Sequence, residues 1–320
     1  MDASNEEEIH GAQIMHQFIV PSPLGRERLD KVMAAMLPQF SRARLQNWVQ
    51  AGHVSVNDQI QTKPRMMLKV GDAIQVQVQP DESESFMTAQ PVNFDVISES
   101  KQWLVVNKPA GLVVHPGAGN WSHTLLNGLL YRFEALKDVE RAGLVHRLDK
   151  DTSGLMVVAR TALAREELIR QLQARTVKRE YIALVQGHVQ AQQGTIERSI
   201  GRDPRVAVRM SVVRPIAAKE ARTDYQVVRR GMLKGSPVSE VICQLHTGRT
   251  HQIRVHMASE GHPLVGDTLY GAARSEWAPR QMLHARALAF EDPQTQARMA
   301  FECALPEDMA YLLDEMQAIT

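Results

Sequence analysis

Six strand-like runs crowd into residues 103–290, and several follow one another with no helix between them. They read WLVVNK (103–108), GLMVVAR (154–160), REYIALVQG (179–187), TDYQVVRR (223–230), VICQLH (241–246) and LHARALAF (283–290). A doubly wound parallel sheet would need a crossover helix after nearly every strand. Helical patterning shows only at 161–175 and in the closing PEDMAYLLDEMQAI, which has a proline at its start. The expectation for 92–320 is therefore one large α+β domain with a mixed, mostly antiparallel sheet. There are no internal repeats and no glycine-rich phosphate loop; GAGN at 117–120 reads as a turn.

The N-terminal part has a different grain. In RERLDKVMAAML, Leu29, Val32, Met33 and Met36 recur at helical spacing, and Pro38 ends the run. Ser41 can cap a second helix, SRARLQNWVQAG, which Gly52 stops. HVSVN and IQVQVQ (74–79) then alternate as strands. Two helices and a few short strands make a compact unit over 17–80. The acidic, aperiodic PDESESFMTAQP reads as a linker through residue 91, and residues 1–16 as a flexible tail.

Charge is informative by position rather than by sum. The net charge is only +1. Residues 1–16 hold four acids and no Lys or Arg, whereas 17–80 hold eight Lys or Arg against four acids. Arg26, Arg28, Arg42 and Arg44 are expected to face outward, with Arg42 and Arg44 in the first turn of the second helix. A phosphate-binding surface and an ordinary solvated basic face both fit that composition. No stretch approaches the roughly 20 apolar residues of a membrane span, and MDASNEEEIH lacks the basic and apolar regions of a signal peptide. The chain reads as a cytoplasmic monomer. Cys243 and Cys303 read as two buried thiols, with no zinc-type spacing.

The densest group of reactive residue types is HRLDKDTSG (146–154), a polar loop feeding an apolar strand. A carboxylate there could be a nucleophile, a general base or part of a salt-bridged loop. Asp149 and Asp151 stand two apart and so diverge in either regular structure, which disfavours a paired-carboxylate hydrolase built from them. A second group is LHTGRTHQIRVHMASEGHPLVGDTLYG (245–271). Its histidines do not make a zinc site, because His251 and His256 would sit about 140° apart on a helix. Arg254, flanked by Ile253 and Val255, needs a carboxylate partner. Asp149 is the candidate, and the pair would keep Asp149 ionised near neutral pH.

Taken together, HRLDKDTSG, VVNKPAGLVVHPGAGN (105–120), KREYIALVQG (178–187) and GRTHQIRVHMA (248–258) resemble the motifs of the RluA-type pseudouridine synthases. The match covers about 100–305. RLDKVMAAMLPQFSRARLQNWVQAGHVSVND with VGDAIQV resembles an S4 (alpha-L) RNA-binding domain, with Asp58 where a glycine is usual. The resemblance implies isomerisation of uridine to pseudouridine in ribosomal RNA, with the helix 69 stem-loop of 23S rRNA as target and other rRNA or tRNA uridines as the alternative. It implies no cofactor and no metal. Asp149 would be the catalytic aspartate and Arg254 its partner. Arg147 would enter the RNA stack as the uridine leaves it. Tyr181 would pack on the flipped base and help remove the C5 proton. Leu148 and Ile253 would pack around the uracil pocket. Lys108 and His115 would be structural or RNA-contacting. Two rival readings are a non-catalytic ribosome-assembly factor and a nucleoside hydrolase.

Overall fold

In the computed structural model, residues 15–78, 87–117, 119–272 and 276–318 are described. The chain divides into two compact units, Met1–Ser85 and Phe86–Thr320. No helix among the described residues is long and apolar enough to cross a membrane.

The first unit holds β1 (Met15–Ile19), α1 (Leu29–Met36), α2 (Arg42–Gln50), β2 (Val54–Val56), β3 (Gln59–Ile60) and β4 (Ala73–Gln77). Its sheet runs β1–β4–β2–β3, all antiparallel. Leu29, Val32 and Met33 of α1 and Leu45, Trp48 and Val49 of α2 pack with Ile74 and Val76 of β4 into one core. Ser41 caps α2 by accepting the Arg44 backbone N–H. Asn57 and Asp58 both have positive φ, 50° and 63°. That is the geometry of a two-residue type I′ turn, and Asx residues tolerate it without glycine. The tail expected over 1–16 gives way to β1 at Met15 and His16; the rest of it lies outside the described residues.

The second unit is built on a ten-stranded sheet ordered β17–β13–β14–β8–β15–β7–β6–β5, with β16 on β15 and β9 on β13. Its elements run β5 (Asp95–Glu99), β6 (Trp103–Lys108), α3 (Leu125–Arg132), β7 (Ser153–Ala159), α4 (Ala162–Gln173), β8 (Lys178–Gln186) and β9 (Gln193–Glu197). Next come β10 (Ile200–Arg202), β11 (Met210–Ser211) and β12 (Ile216–Lys219), which form a small separate sheet. Then follow β13 (Arg222–Leu233), β14 (Ser236–Leu245), α5 (Gln252–Ser259), β15 (Leu283–Glu291), β16 (Arg298–Glu302), α6 (Glu307–Asp314) and β17 (Gln317–Ala318). The fold is α+β, as the consecutive strands require, and only the β7–β15 pair runs parallel among the described strands.

Both faces of the sheet are covered where the reactive loop enters it. Leu104 and Val106 pack toward α3, while Trp103, Val105, Leu155 and Val157 pack with Leu168 of α4 and Phe290. That explains why β7 is buried along its whole length and apolar after Ser153. The closing helix departs from expectation. It stops at Asp314, and Met316 turns into the core beside Leu233 and Leu313. Gln317 and Ala318 then pair with Met232 and Gly231 on the edge of β13.

Candidate active site

The polar loop 146–152 is held by cations that grip its backbone. Lys108, with no exposed surface, donates to the carbonyls of Lys150 (2.9 Å), Pro109 (2.9 Å) and Leu112 (2.8 Å). Arg280 donates to the Asp151 carbonyl at 3.0 Å while forking onto Asp308 at 2.6 and 2.7 Å. Neighbouring carbonyls of one loop are thus tied down from two directions. The Thr152 N–H returns to the Asp149 carbonyl at 3.1 Å and closes the turn. His146 is half-buried and accepts the Val157 N–H on Nε2; its removal from water, foremost, drives its pKa down to about 3. It therefore works as a neutral tie between loop and strand. Lys108 is a structural residue here. His115 is likewise kept neutral, its pKa lowered to about 4 mainly by burial.

This bracing presents Asp149 to a cavity of about 470 Å³. Arg147, Leu148, Tyr181, Ile253 and Arg254 line the same cavity, so three separated sequence segments converge there. Leu148, Tyr181 and Ile253 are each at most 6% exposed. Asp151 is not part of the lining, in keeping with the divergence expected two residues along. Arg147 is exposed, and its side chain makes no hydrogen bond or ion pair among the described residues.

Arg254 does meet Asp149, with Nη1 donating to Oδ2 at 3.1 Å. Its principal partner, however, is Asp267, which sequence reasoning passed over. Nε and Nη2 donate to the two Asp267 carboxylate oxygens at 2.6 and 2.9 Å. The Arg254 ring-stacking partner is Tyr270, 5.1 Å away. Burial opposes the Arg254 charge, but Asp267 and then Asp149 outweigh it and hold the pKa above the ordinary value. The signal for Asp267 lay in GDTLYG, a polar turn thirteen residues beyond Arg254. Burial raises the Tyr181 pKa, so the side chain is a neutral phenol.

The three histidines of the second motif have separate partners. His246 bonds Asp224, His251 bonds Tyr270, and His256 bonds Thr223 and the Arg198 carbonyl. Among the described residues no group of His, Cys, Asp or Glu is placed to hold a metal ion.

The four N-terminal arginines do not form one free basic face. Arg28 and Arg42 both turn onto Asp30, whose side chain is fully buried, each at 2.8 Å. Arg44 stacks over Phe40 and Trp48 at 5.1 and 5.0 Å. Arg26 is exposed, at a backbone φ of 70°. Of the four expected to face outward, Arg26 and Arg42 are exposed and Arg28 and Arg44 half-buried, and the guanidiniums of Arg28 and Arg42 are at the same time tied to the buried Asp30 carboxylate.

Comparison with known proteins gives a consistent picture. Residues 102–259 match the family described as RNA pseudouridylate synthase, and residues 27–74 match the S4 domain. The chain is 45% identical over 309 residues to the ribosomal large subunit pseudouridine synthase D of Neisseria meningitidis, covering 93% of this chain and 81% of that protein. The protein of the same name from Pseudomonas aeruginosa is 43% identical, with 92% and 93% covered. Among solved structures, human RNA pseudouridylate synthase domain containing 1 superposes with a TM-score of 0.58 at 30% identity, covering 76% of this chain and 92% of that one.

Proposed function

The chain belongs to the RNA pseudouridylate synthase family, and from that premise we propose that it isomerises uridines of 23S ribosomal RNA to pseudouridine, with Asp149 as the catalytic carboxylate. The observation that carries this reading is Asp149 itself. It stands in a recess that pairs the apolar Leu148, Tyr181 and Ile253 with the basic Arg147, Arg179 and Arg254, and it is braced through its loop backbone and oriented by Arg254. The relatives named for the ribosomal large subunit support the substrate class. The helix 69 stem-loop is the proposed target.

The reaction breaks the C1′–N1 bond, turns the uracil and joins C5 to C1′, with the C5 hydrogen leaving as a proton and the freed N1 taking one up. Uridine and pseudouridine are isomers, so the net change needs neither water nor an electron carrier. Asp149 meets the sugar or the base as the bond breaks, and Arg254 fixes its orientation. Leu148 and Ile253 enclose the uracil, and Tyr181 supplies a ring for it to pack on. A neutral phenol suits packing and hydrogen bonding better than it suits accepting the C5 proton. Extruding the base from a stem-loop costs a few kcal/mol; the unpaired, exposed Arg147 is suited to fill the gap left in the stack. The S4 unit supplies phosphate contacts that orient the RNA.

Tritium release from C5-labelled uridine in transcribed large-subunit rRNA tests the proposal. Wild type should release tritium and Asp149→Asn should not. Binding without release would leave an RNA-binding assembly factor, and free uracil in the digest would mark a hydrolase.

A further inference from the structure

Arg179 lies on β8 two residues before Tyr181, on the same face of the strand and about 6.6 Å away along it. It is only 9% exposed. Arg254 and Arg280 are buried to a similar degree, and each grips an aspartate with two hydrogen bonds. Arg179 has no carboxylate partner among the described residues. Its one hydrogen bond is a long 3.5 Å contact from Nη2 to the Leu245 carbonyl, and its Nε is buried with no partner at all. The adjacent acid, Glu180, points to the other face and pairs with Arg286. A buried guanidinium left unneutralised destabilises the free protein, and the sequence has not replaced it with a neutral residue.

A second observation concerns the space beside it. A Cβ placed on Gly248 would stand 2.8 Å from Arg179 Nη1. The Gly248 backbone is not in the left-handed region, so conformation does not demand glycine there. The missing side chain instead leaves one flank of the guanidinium open. Arg179 also lines both the Asp149 cavity and an adjoining groove of about 450 Å³, and Arg175 and His246 are shared between the two. The guanidinium therefore sits where a strand leaving the cavity would pass.

We propose that Arg179 is the receptor for one backbone phosphate of the bound RNA, next to the nucleotide held over Asp149. This rests on the synthase reading for the identity of the nucleotide. A phosphodiester supplies the anion that the fold withholds, and the planar guanidinium can meet two of its oxygens at once.

The test is fluorescence anisotropy of a short labelled RNA stem-loop containing uridine, titrated with the full chain across a series of KCl concentrations. Arg179→Met should bind about tenfold more weakly at low salt. The slope of log affinity against log salt should become shallower by about 0.7–1, one phosphate contact. The melting temperature of the free variant should equal or exceed that of wild type, because an unpaired buried charge has been removed. Gly248→Ala should weaken binding in the same way with Arg179 present. Unchanged affinity and slope in Arg179→Met, or a lowered melting temperature with an unchanged slope, would overturn the proposal. Tritium release measured on wild type in parallel separates the two readings. Loss of release with the salt effect intact removes the synthase reading alone; release with no salt effect removes only the phosphate receptor.

Discussion

Arg254 gives Asp267 two hydrogen bonds and Asp149 one. The guanidinium is thus fixed by a carboxylate outside the cavity lining and presents its remaining edge to the one inside it. Asp267 is 1% exposed at its side chain, so it meets no substrate and acts by holding Arg254 still. Asp267→Asn should lower kcat about 10- to 100-fold while leaving RNA affinity near the wild-type value, as loss of a positioning group does. Single-turnover kinetics with separate binding measurements would show this. An equal loss in affinity and rate would instead mean that the variant disturbs the RNA surface.

Lys108 gives a pH signature. Burial pulls its pKa from 10.5 to about 7, against the opposing pull of Asp151 and Asp149. In the unfolded chain the group keeps its proton to about pH 10.5. Between those values the unfolded state binds more protons, so stability rises with pH by about 1.4 kcal/mol per unit at most from this group. Comparing urea unfolding of wild type and Lys108→Met cancels the other titrating groups. The wild-type stability relative to the variant should climb from pH 7 to pH 9; a flat difference would contradict the assignment.

Asp30 organises the S4 unit. Burial works to raise its pKa, but Arg42, Gln46 and Arg28 outweigh burial and lower it. A depressed carboxylate pKa contributes stability above the unfolded value of 3.8, and that contribution is lost as pH falls through the lower folded value. Asp30→Ala removes the acceptor that ties Arg28, Arg42 and Gln46 together and, with both guanidiniums open to water, should cost the S4 unit about 1.5–3 kcal/mol. Chemical unfolding followed through Trp48 fluorescence would report it. A loss under about 1 kcal/mol would place Asp30 among ordinary surface pairs.

Gly154 marks the closest approach of the two parallel strands. Its φ is 116°, and a Cβ would lie 2.3 Å from the Ala285 carbonyl oxygen, a backbone atom that cannot step aside. Gly154→Ala should destabilise the second unit by about 3 kcal/mol or more. Differential scanning calorimetry should show a drop of roughly 6–12 °C. A melting temperature within two degrees of wild type, as an approximate bound, would mean that β7 and β15 can separate locally without loss.

The amino-acid sequence by itself determined the local pieces. Apolar periodicity placed β6, β7, β8, β15 and α4 within a residue or two of their ends, because each pattern reports the face that its own element buries. Ser41, Gly52 and the Asn57–Asp58 turn were legible for the same reason: caps and turns are satisfied by neighbours in the chain. The loop HRLDKDTSG was legible because reactive residue types are concentrated there. What the sequence left open was which distant groups meet. Lys108 reaches the Lys150 carbonyl and Arg280 the Asp151 carbonyl across 42 and 129 residues. Arg254 chooses Asp267 over Asp149 as its two-pronged partner, Arg28 and Arg42 turn onto Asp30, and Arg179 is left without a carboxylate among the described residues. The outcomes in the second unit depend on the strand order that sets β8 between β14 and β15. Periodicity fixes which face a residue takes. Only the assembled sheet fixes what stands opposite that face, and for a buried charge the partner opposite decides whether it is structural or awaits a ligand.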